Sequence, residues 1–281
     1  MDSGSTDATV SIARRYPVKV VPIEPKDFTF GRSLNLGIRH AQAPSVVLAS
    51  AHVYPVYPDW MERLLDPLQD PAIALAYGKQ RGNSTTRFSE QQIFAKLYPP
   101  VSAIPQAHAF CNNANLAIRR DLWMQRPYDE DLSGLEDLEW AMWARGQGHQ
   151  VAYVAEAEVI HVHDETPRQV YNRYRREAIA LKRLRPHEHF GLADFLRLYI
   201  SNLVSDAWHG LRQGRGPGLW HEIAWYRWMQ FWGTYRGFGH RGPLTAELKR
   251  TFYYPRGLAE SAADSARAVE PIDYGVTTSE G

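Results

Sequence analysis

Four short stretches carry residue types whose spacing could do chemistry. Ser133-Gly134-Leu135-Glu136-Asp137-Leu138-Glu139-Trp140-Ala141-Met142-Trp143 puts acids in the first turn of what reads as an amphipathic helix. Ser133 is a cap candidate and Gly134 a tight entry, while Leu138, Ala141 and Met142 recur at helical spacing. Carboxylates there either satisfy the positive end of the helix dipole or are available for chemistry. Asp2-Ser3-Gly4-Ser5-Thr6-Asp7 could hold a nucleotide through Asp side chains and backbone N–H groups, or be a solvated turn and helix cap. Ser50-Ala51-His52 ends a β-branched run, and ligands of open α/β sheets sit outside the carboxyl ends of strands. An imidazole there suits a transition metal bound to phosphate oxygens; the plainer reading is a hydrogen-bonded surface histidine. His161 and His163 fall on one face of a strand with Val162 opposite, so with His52 they could form one metal site or mark an exposed strand end.

The elements that must position these residues alternate. Helices are predicted at 8–15, 30–41 and 59–65, and extended segments at 18–21, 45–50 (a buried parallel strand) and 73–78. Residues 79–108 read as loop-rich, 111–118 as an edge strand, 119–123 as a helical turn, and 150–154 and 159–162 as strands. This alternation predicts an α/β fold with a mostly parallel sheet and helices on both faces. From Pro167 the pattern becomes helical, over 168–184, 193–208 and 220–235. Expected domains are therefore 1–166, a helical extension 167–256, and a small, polar, disordered tail 257–281.

The 281 residues are 44% hydrophobic and 22% charged, which leaves ample core; the net charge of +1 names no partner. Charge distribution says more: from Arg168 to Arg256 sixteen Lys/Arg face six Asp/Glu, interleaved with Trp and Tyr. Cys111 is the single cysteine, so an intrachain disulfide framework is excluded and a cytosolic setting is expected. The apolar runs are too short for a membrane span, and nothing reads as a leader.

The order of the motifs resembles the family 2 glycosyltransferases, over roughly Asp2 to Glu165. The Asp2–Asp7 loop is similar to the family's DDGSxD-type nucleoside loop, and Asn35 with Gly37 to its NxGxxxA element. Asn113-Ala114-Asn115-Leu116-Ala117-Ile118 resembles the segment lining the sugar and acceptor pocket, and Glu136-Asp137 the ED motif. The resemblance implies a GT-A fold and an inverting transfer from a nucleotide-diphosphate sugar to a sugar or lipid-linked acceptor. It makes Asp137 the general base with Glu136 supporting, and Asp2, Ser3, Asp7, Arg32, Asn35, Ser50, Asn113 and Asn115 donor contacts. His161 falls on a metal-ligand position, and His52 stands where the second Asp of the metal-binding DxD would be, so His52 and His161 would favour Mn²⁺ over Mg²⁺. Met1 stands where the family has Val in VVDSGSTD, so domain 1–166 is expected to lack its first strand, by truncation or a mis-called start. Arg173, Arg175, Arg176, Lys182, Arg183 and Arg185 are candidates for contact with anionic lipid at the inner face of the cytoplasmic membrane; nucleic acid binding is not expected. The rival expectation is a catalytically inactive nucleotide-sugar binder or partner subunit, because the DxD is altered.

Overall fold

The computed structural model describes residues 1–242 and Leu248; the expected tail 257–281 lies outside them. The elements are α1 (Thr9–Ala13), α2 (Phe30–His40), β1 (Ser45–Ala49), β2 (Val53–Pro55), α3 (Trp60–Leu65), β3 (Ile73–Arg81) and α4 (Phe88–Leu97). They continue with β4 (Asn115–Arg119), α5 (Arg120–Gln125), α6 (Glu136–Gly146), β5 (Gln150–His161), α7 (Pro167–Leu184), α8 (Leu192–Arg212) and α9 (Gly218–Phe238).

The five strands form one sheet in the order β1-β4-β3-β5-β2. It is mixed rather than mostly parallel: β3 and β5 pair in parallel, whereas β1–β4, β3–β4 and β2–β5 are antiparallel. Alternation along the chain reports the order of elements, but not that β4 inserts in reverse between β1 and β3. The segment expected as a buried parallel strand is therefore the antiparallel edge β1, and the expected edge strand β4 is interior, with Leu116, Ala117 and Ile118 fully buried. The amides of Asn113 and Asn115 gave β4 an edge-like polarity that the structure absorbs internally.

Side chains alternate along β3 from Leu75, so Leu75 and Tyr77 face one layer and Ala76 the other, and an irregularity between Ile73 and Leu75 turns Ile73 to the side of Ala76. The first layer packs Ile38 of α2, Phe94 of α4, Trp123 of α5 and Trp140 of α6. The second packs Leu64 of α3 on Ala76, Ala117, Ala152 and Ala157, small residues that let the helix approach closely. Two expected strands near the carboxyl end are one, β5, running from Gln150 to His161. Residues 18–21 form no strand; the N-terminal loop is instead pinned by Asp2 N donating to Val21 O (2.9 Å) and Ile23 N to Asp2 O (2.8 Å).

Residues 79–108 contain a helix that hydrophobic periodicity does not reveal. The buried side of α4 carries Ser89 and Glu90 beside Phe88 and Phe94, so its inward face is partly polar. Those polar groups are matched by the helical extension. The carboxylate of Asp206, on α8, accepts from Ser89 Oγ (2.7 Å) and from Arg227 Nε (2.7 Å) and Nη2 (3.0 Å) of α9, while Glu222 accepts from Phe88 N (2.9 Å) at the start of α4. Helix α9 lies against α7 through two glycines, for a Cβ on Gly233 would stand 2.5 Å from Tyr171 O and one on Gly237 2.5 Å from Arg175 O.

Candidate functional site

The acid pair sits at the first turn of α6. Neither Ser133 nor Gly134 makes the turn as expected: Ser133 Oγ donates to Arg176 O (3.0 Å), and Leu135 takes the left-handed conformation, at φ +59°. A branched side chain there is strained, and such strain is held by surrounding contacts, often at functional sites. Both carboxylates are buried, although acids at helix starts are ordinarily solvated. Asp137 Oδ2 accepts from Asn113 N (3.0 Å) and Oδ1 from Leu138 N (2.7 Å), while Glu136 Oε1 accepts from Asn113 Nδ2 (3.1 Å). Burial raises Glu136, and burial followed by the charge of Glu136 lifts Asp137 to about 7.

Asn113 is held in turn. Its Oδ1 accepts from Tyr128 Oη (3.1 Å), and Tyr128 N donates to Asn35 Oδ1 (3.0 Å). Asn35 is almost fully buried and also receives Trp123 Nε1 (3.0 Å) while donating to Tyr128 O and Glu130 Oε1 (both 2.9 Å). Its amide is spent inside the fold, three hydrogen bonds behind the acid pair. Asn115 is likewise fully buried, donating to Ala157 O (2.8 Å) and accepting from Trp60 Nε1 (2.9 Å). Both side chains are spent on hydrogen bonds inside the fold.

The preceding residue, Asn112, leads to the histidines. Gln80 Nε2 donates to Asn112 Oδ1 (3.2 Å), and Gln80 Oε1 accepts from His161 Nδ1 (2.7 Å). That bond leaves the His161 Nε2 lone pair free, and this buried atom finds no hydrogen-bond partner among the described residues. His52 joins because Val162 N donates to His52 O (3.2 Å) and Ser50 N to Ala114 O (3.2 Å). The rings of His52, His161 and His163 lie 4.1–5.4 Å apart between centroids, and their ligand atoms fall within 4.8 Å of one another. Burial, then the charge of His163, pushes His161 down to about 2 and His52 to about 4, so both stay neutral and able to ligate.

Sequence reasoning missed Glu90. Its Oε1 accepts from His163 Nδ1 (2.8 Å) and Arg173 Nη2 (2.9 Å), and Arg173 also meets Glu165 (2.6 Å). Burial would raise Glu90, but the His163 hydrogen bond and the Arg173 charge win and hold it below its ordinary value. A carboxylate behind an imidazole fixes the tautomer and orientation a metal ligand needs. The sequence signal for Glu90 is a lone acid between two Pro-containing segments.

Of the remaining candidates, Asp2 accepts from Gly4 N (3.2 Å) and Ser5 N (3.3 Å) and is lowered first by the Ser5 hydroxyl. Asp7 is exposed and accepts from Thr9 N (2.9 Å), the first residue of α1. Ser3 is half-buried, Arg32 is exposed on the first turn of α2, and Ser50 ends β1 beside Ala114. The basic row of α7 does not form a free cationic face: Arg173 is salt-bridged inward, Lys182 Nζ donates to Phe238 O (2.7 Å), Arg183 to Asp131 O (3.2 Å), and Arg185 to Glu188 (2.8 Å). Arg176 lies over the Phe30 ring, 4.7 Å from its centroid.

A mixed sheet of this order between helical layers is the GT-A fold. Among solved structures, the mannosyltransferase PcManGT of Pyrobaculum calidifontis, in complex with GDP-Man and Mn²⁺, shares this fold at 16% identity and TM-score 0.52, over 91% of this chain and 77% of that one. Residues 1–129 match the family model described as Glycosyl transferase family 2. Two curated relatives are O-antigen chain rhamnosyltransferases: RfbN of Salmonella typhimurium, 28% identical over 193 residues, and WbaN of Salmonella anatum, 27% over 185 residues. Each alignment covers 62% of this chain, which spans 59% of either relative's length.

Proposed function

We propose that the protein is an inverting glycosyltransferase of polysaccharide assembly, moving a sugar from a nucleotide-diphosphate donor to an acceptor hydroxyl. The observation that carries this reading is the pair of neighbours Asn112 and Asn113. One is bonded to the Gln80–His161 arm and the other to Glu136 and Asp137, so two adjacent residues connect a metal-type histidine cluster to a buried base. In the transfer, the acceptor oxygen attacks the anomeric carbon from the face opposite the diphosphate. Its proton passes to the Asp137 carboxylate as the anomeric C–O bond breaks and the nucleoside diphosphate leaves. A carboxylate lifted to about 7 is well matched to this task near neutrality. Glu136 orients the acceptor, and the Asn113 N–H aims Asp137.

His52, His161 and His163 would hold a divalent ion, for which the orphaned His161 Nε2 is the fitting donor; imidazole donors suit Mn²⁺ better than Mg²⁺. When bound, the ion supplies charge neutralisation for the departing diphosphate. Asp2, Ser3, Asp7, Arg32 and Ser50 are assigned to the nucleotide and its phosphates, Asn113 to the sugar side, and Asn35 and Asn115 to bracing that pocket. The domain division at 166/167 is kept, with the extension clamped onto the catalytic half. Among the described residues no helix is long and apolar enough to cross a membrane; we assign the enzyme to the cytoplasm, acting on a sugar or lipid-linked acceptor. Its relatives make nucleotide-activated rhamnose the first donor to test. The experiment is a nucleotide-sugar panel with Mn²⁺, scored by nucleoside diphosphate release and product anomer. Binding of a donor without turnover, with or without acceptor, would favour the inactive binder instead.

A further inference from the structure

Helix α8 buries one face and leaves the opposite face apolar, the reverse of an ordinary surface helix. Inward, Phe195 packs against Trp228 and Trp232 of α9, Asp206 is bonded to Arg227, and Gly210 meets Leu219. Outward stand Leu192, Leu196, Ile200, Val204, Trp208 and Leu211, whose exposure runs from 45% at Leu196 to 63% at Val204. The step of four residues, closing on three, makes one continuous stripe, about 28 Å long at 1.5 Å per residue. Trp220 and Trp228 of α9 are also exposed beside it. Scattered apolar residues on a surface need no explanation, but a stripe of this length does.

We propose that this stripe is the surface by which the enzyme lies on an anionic lipid bilayer. The contact differs from the one expected of the α7 arginines, whose charges are used within the chain, and it is independent of the sugar-transfer reading. Two observations select the bilayer. The stripe is edged by cations: Arg197 and Arg212 lie on α8 and Arg215 just beyond it, all exposed, with the Arg212 guanidinium 4.8 Å from the Trp208 ring centroid. Of the two acids on α8, Asp194 bonds Arg197 (3.3 Å) and Asp206 is buried. Trp and aliphatic side chains flanked by arginines match the interfacial zone of a membrane with acidic headgroups.

The test uses the full chain and sedimentation with vesicles of phosphatidylcholine, pure or with a third replaced by phosphatidylglycerol. Wild type should pellet with the anionic vesicles and lose binding as salt rises. The double variant Ile200→Asp/Val204→Asp should lose about a hundredfold in vesicle affinity with an unchanged thermal midpoint. Arg197→Glu/Arg212→Glu should lose the preference for anionic vesicles. Wild type remaining in the supernatant, or an aspartate variant that pellets equally well, overturns the proposal. A wild-type dimer in light scattering that becomes monomeric in the aspartate variant, without vesicle binding, would assign the stripe to a second copy. A marked fall in thermal midpoint would assign it to a segment of the chain itself.

Discussion

Asp137→Asn should move activity and stability in opposite directions. In the folded chain the carboxyl lies at about 7, against an ordinary 3.8, first through burial and then through Glu136. A raised folded value means that the folded state binds the proton more tightly. The stability this contributes is complete below the ordinary value and is lost as pH climbs through about 7. The interval corresponds to about 4 kcal/mol at 1.36 kcal/mol per pH unit. An amide has no such loss, and it also removes the like charge beside Glu136. Its own cost is one hydrogen bond, since the carboxylate accepts from both Asn113 N and Leu138 N whereas an amide offers one oxygen; that is about 1–3 kcal/mol. The variant should therefore be about 1–3 kcal/mol more stable than wild type near pH 8 and equal or less stable near pH 4, read from urea melts at each pH. Turnover should fall by about 10²–10⁴-fold, the usual worth of a general base, and the wild-type rate should rise as pH passes through about 7. Parallel pH–stability curves for the two proteins would refute the buried-charge argument, and retained turnover the base assignment.

Two further outcomes are expected. His163→Ala and Glu90→Gln should each weaken Mn²⁺ binding, about 10–100-fold for the second-sphere change, measured by calorimetry or by the Mn²⁺ electron paramagnetic resonance signal without any substrate; unchanged affinity in both would restrict the ion to His52 and His161. Asp206→Ala leaves the Arg227 guanidinium buried and unpaired and should cost about 3–5 kcal/mol in a denaturant melt, whereas Asp206→Leu with Arg227→Met should recover most of that loss, as apolar replacement of a buried pair often does.

The sequence made some parts of this protein legible and hid others for physical reasons. Strong periodicity or β-branched runs mark α2, β3 and the three long helices, and the structure has them within a few residues, whereas β5 reads as two separate strands. Strand direction is a different matter: Leu116-Ala117-Ile118 reads the same whether parallel or antiparallel, so the reversal of β4 left no trace. Helix α4 hid for the opposite reason, because its buried face is built from Ser89 and Glu90, which satisfy Asp206, His163 and Arg173 rather than a hydrophobic layer. The resemblance assigns Asn113, Glu136, Asp137, His52 and His161 to one site, and the same-face spacing of His161 and His163 lets all three histidines be read as one cluster. Neither could say that the Asn35 and Asn115 amides are consumed inside the fold, since an asparagine facing a ligand and one bracing a loop are the same letter.

The hidden helix is also what joins the two halves of the chain energetically. Asp206 of α8 and Arg227 of α9 grip Ser89, Glu222 of α9 caps the first turn of α4, and Glu90, one residue on from Ser89, holds the His163 imidazole. A shift of the extension is therefore transmitted to the histidine cluster through a single turn of helix, with buried charges at each step that leave little slack. The helical extension thus works as the outer frame of the histidine cluster, and the polar inner face that concealed α4 from periodicity is the reason this frame can reach it.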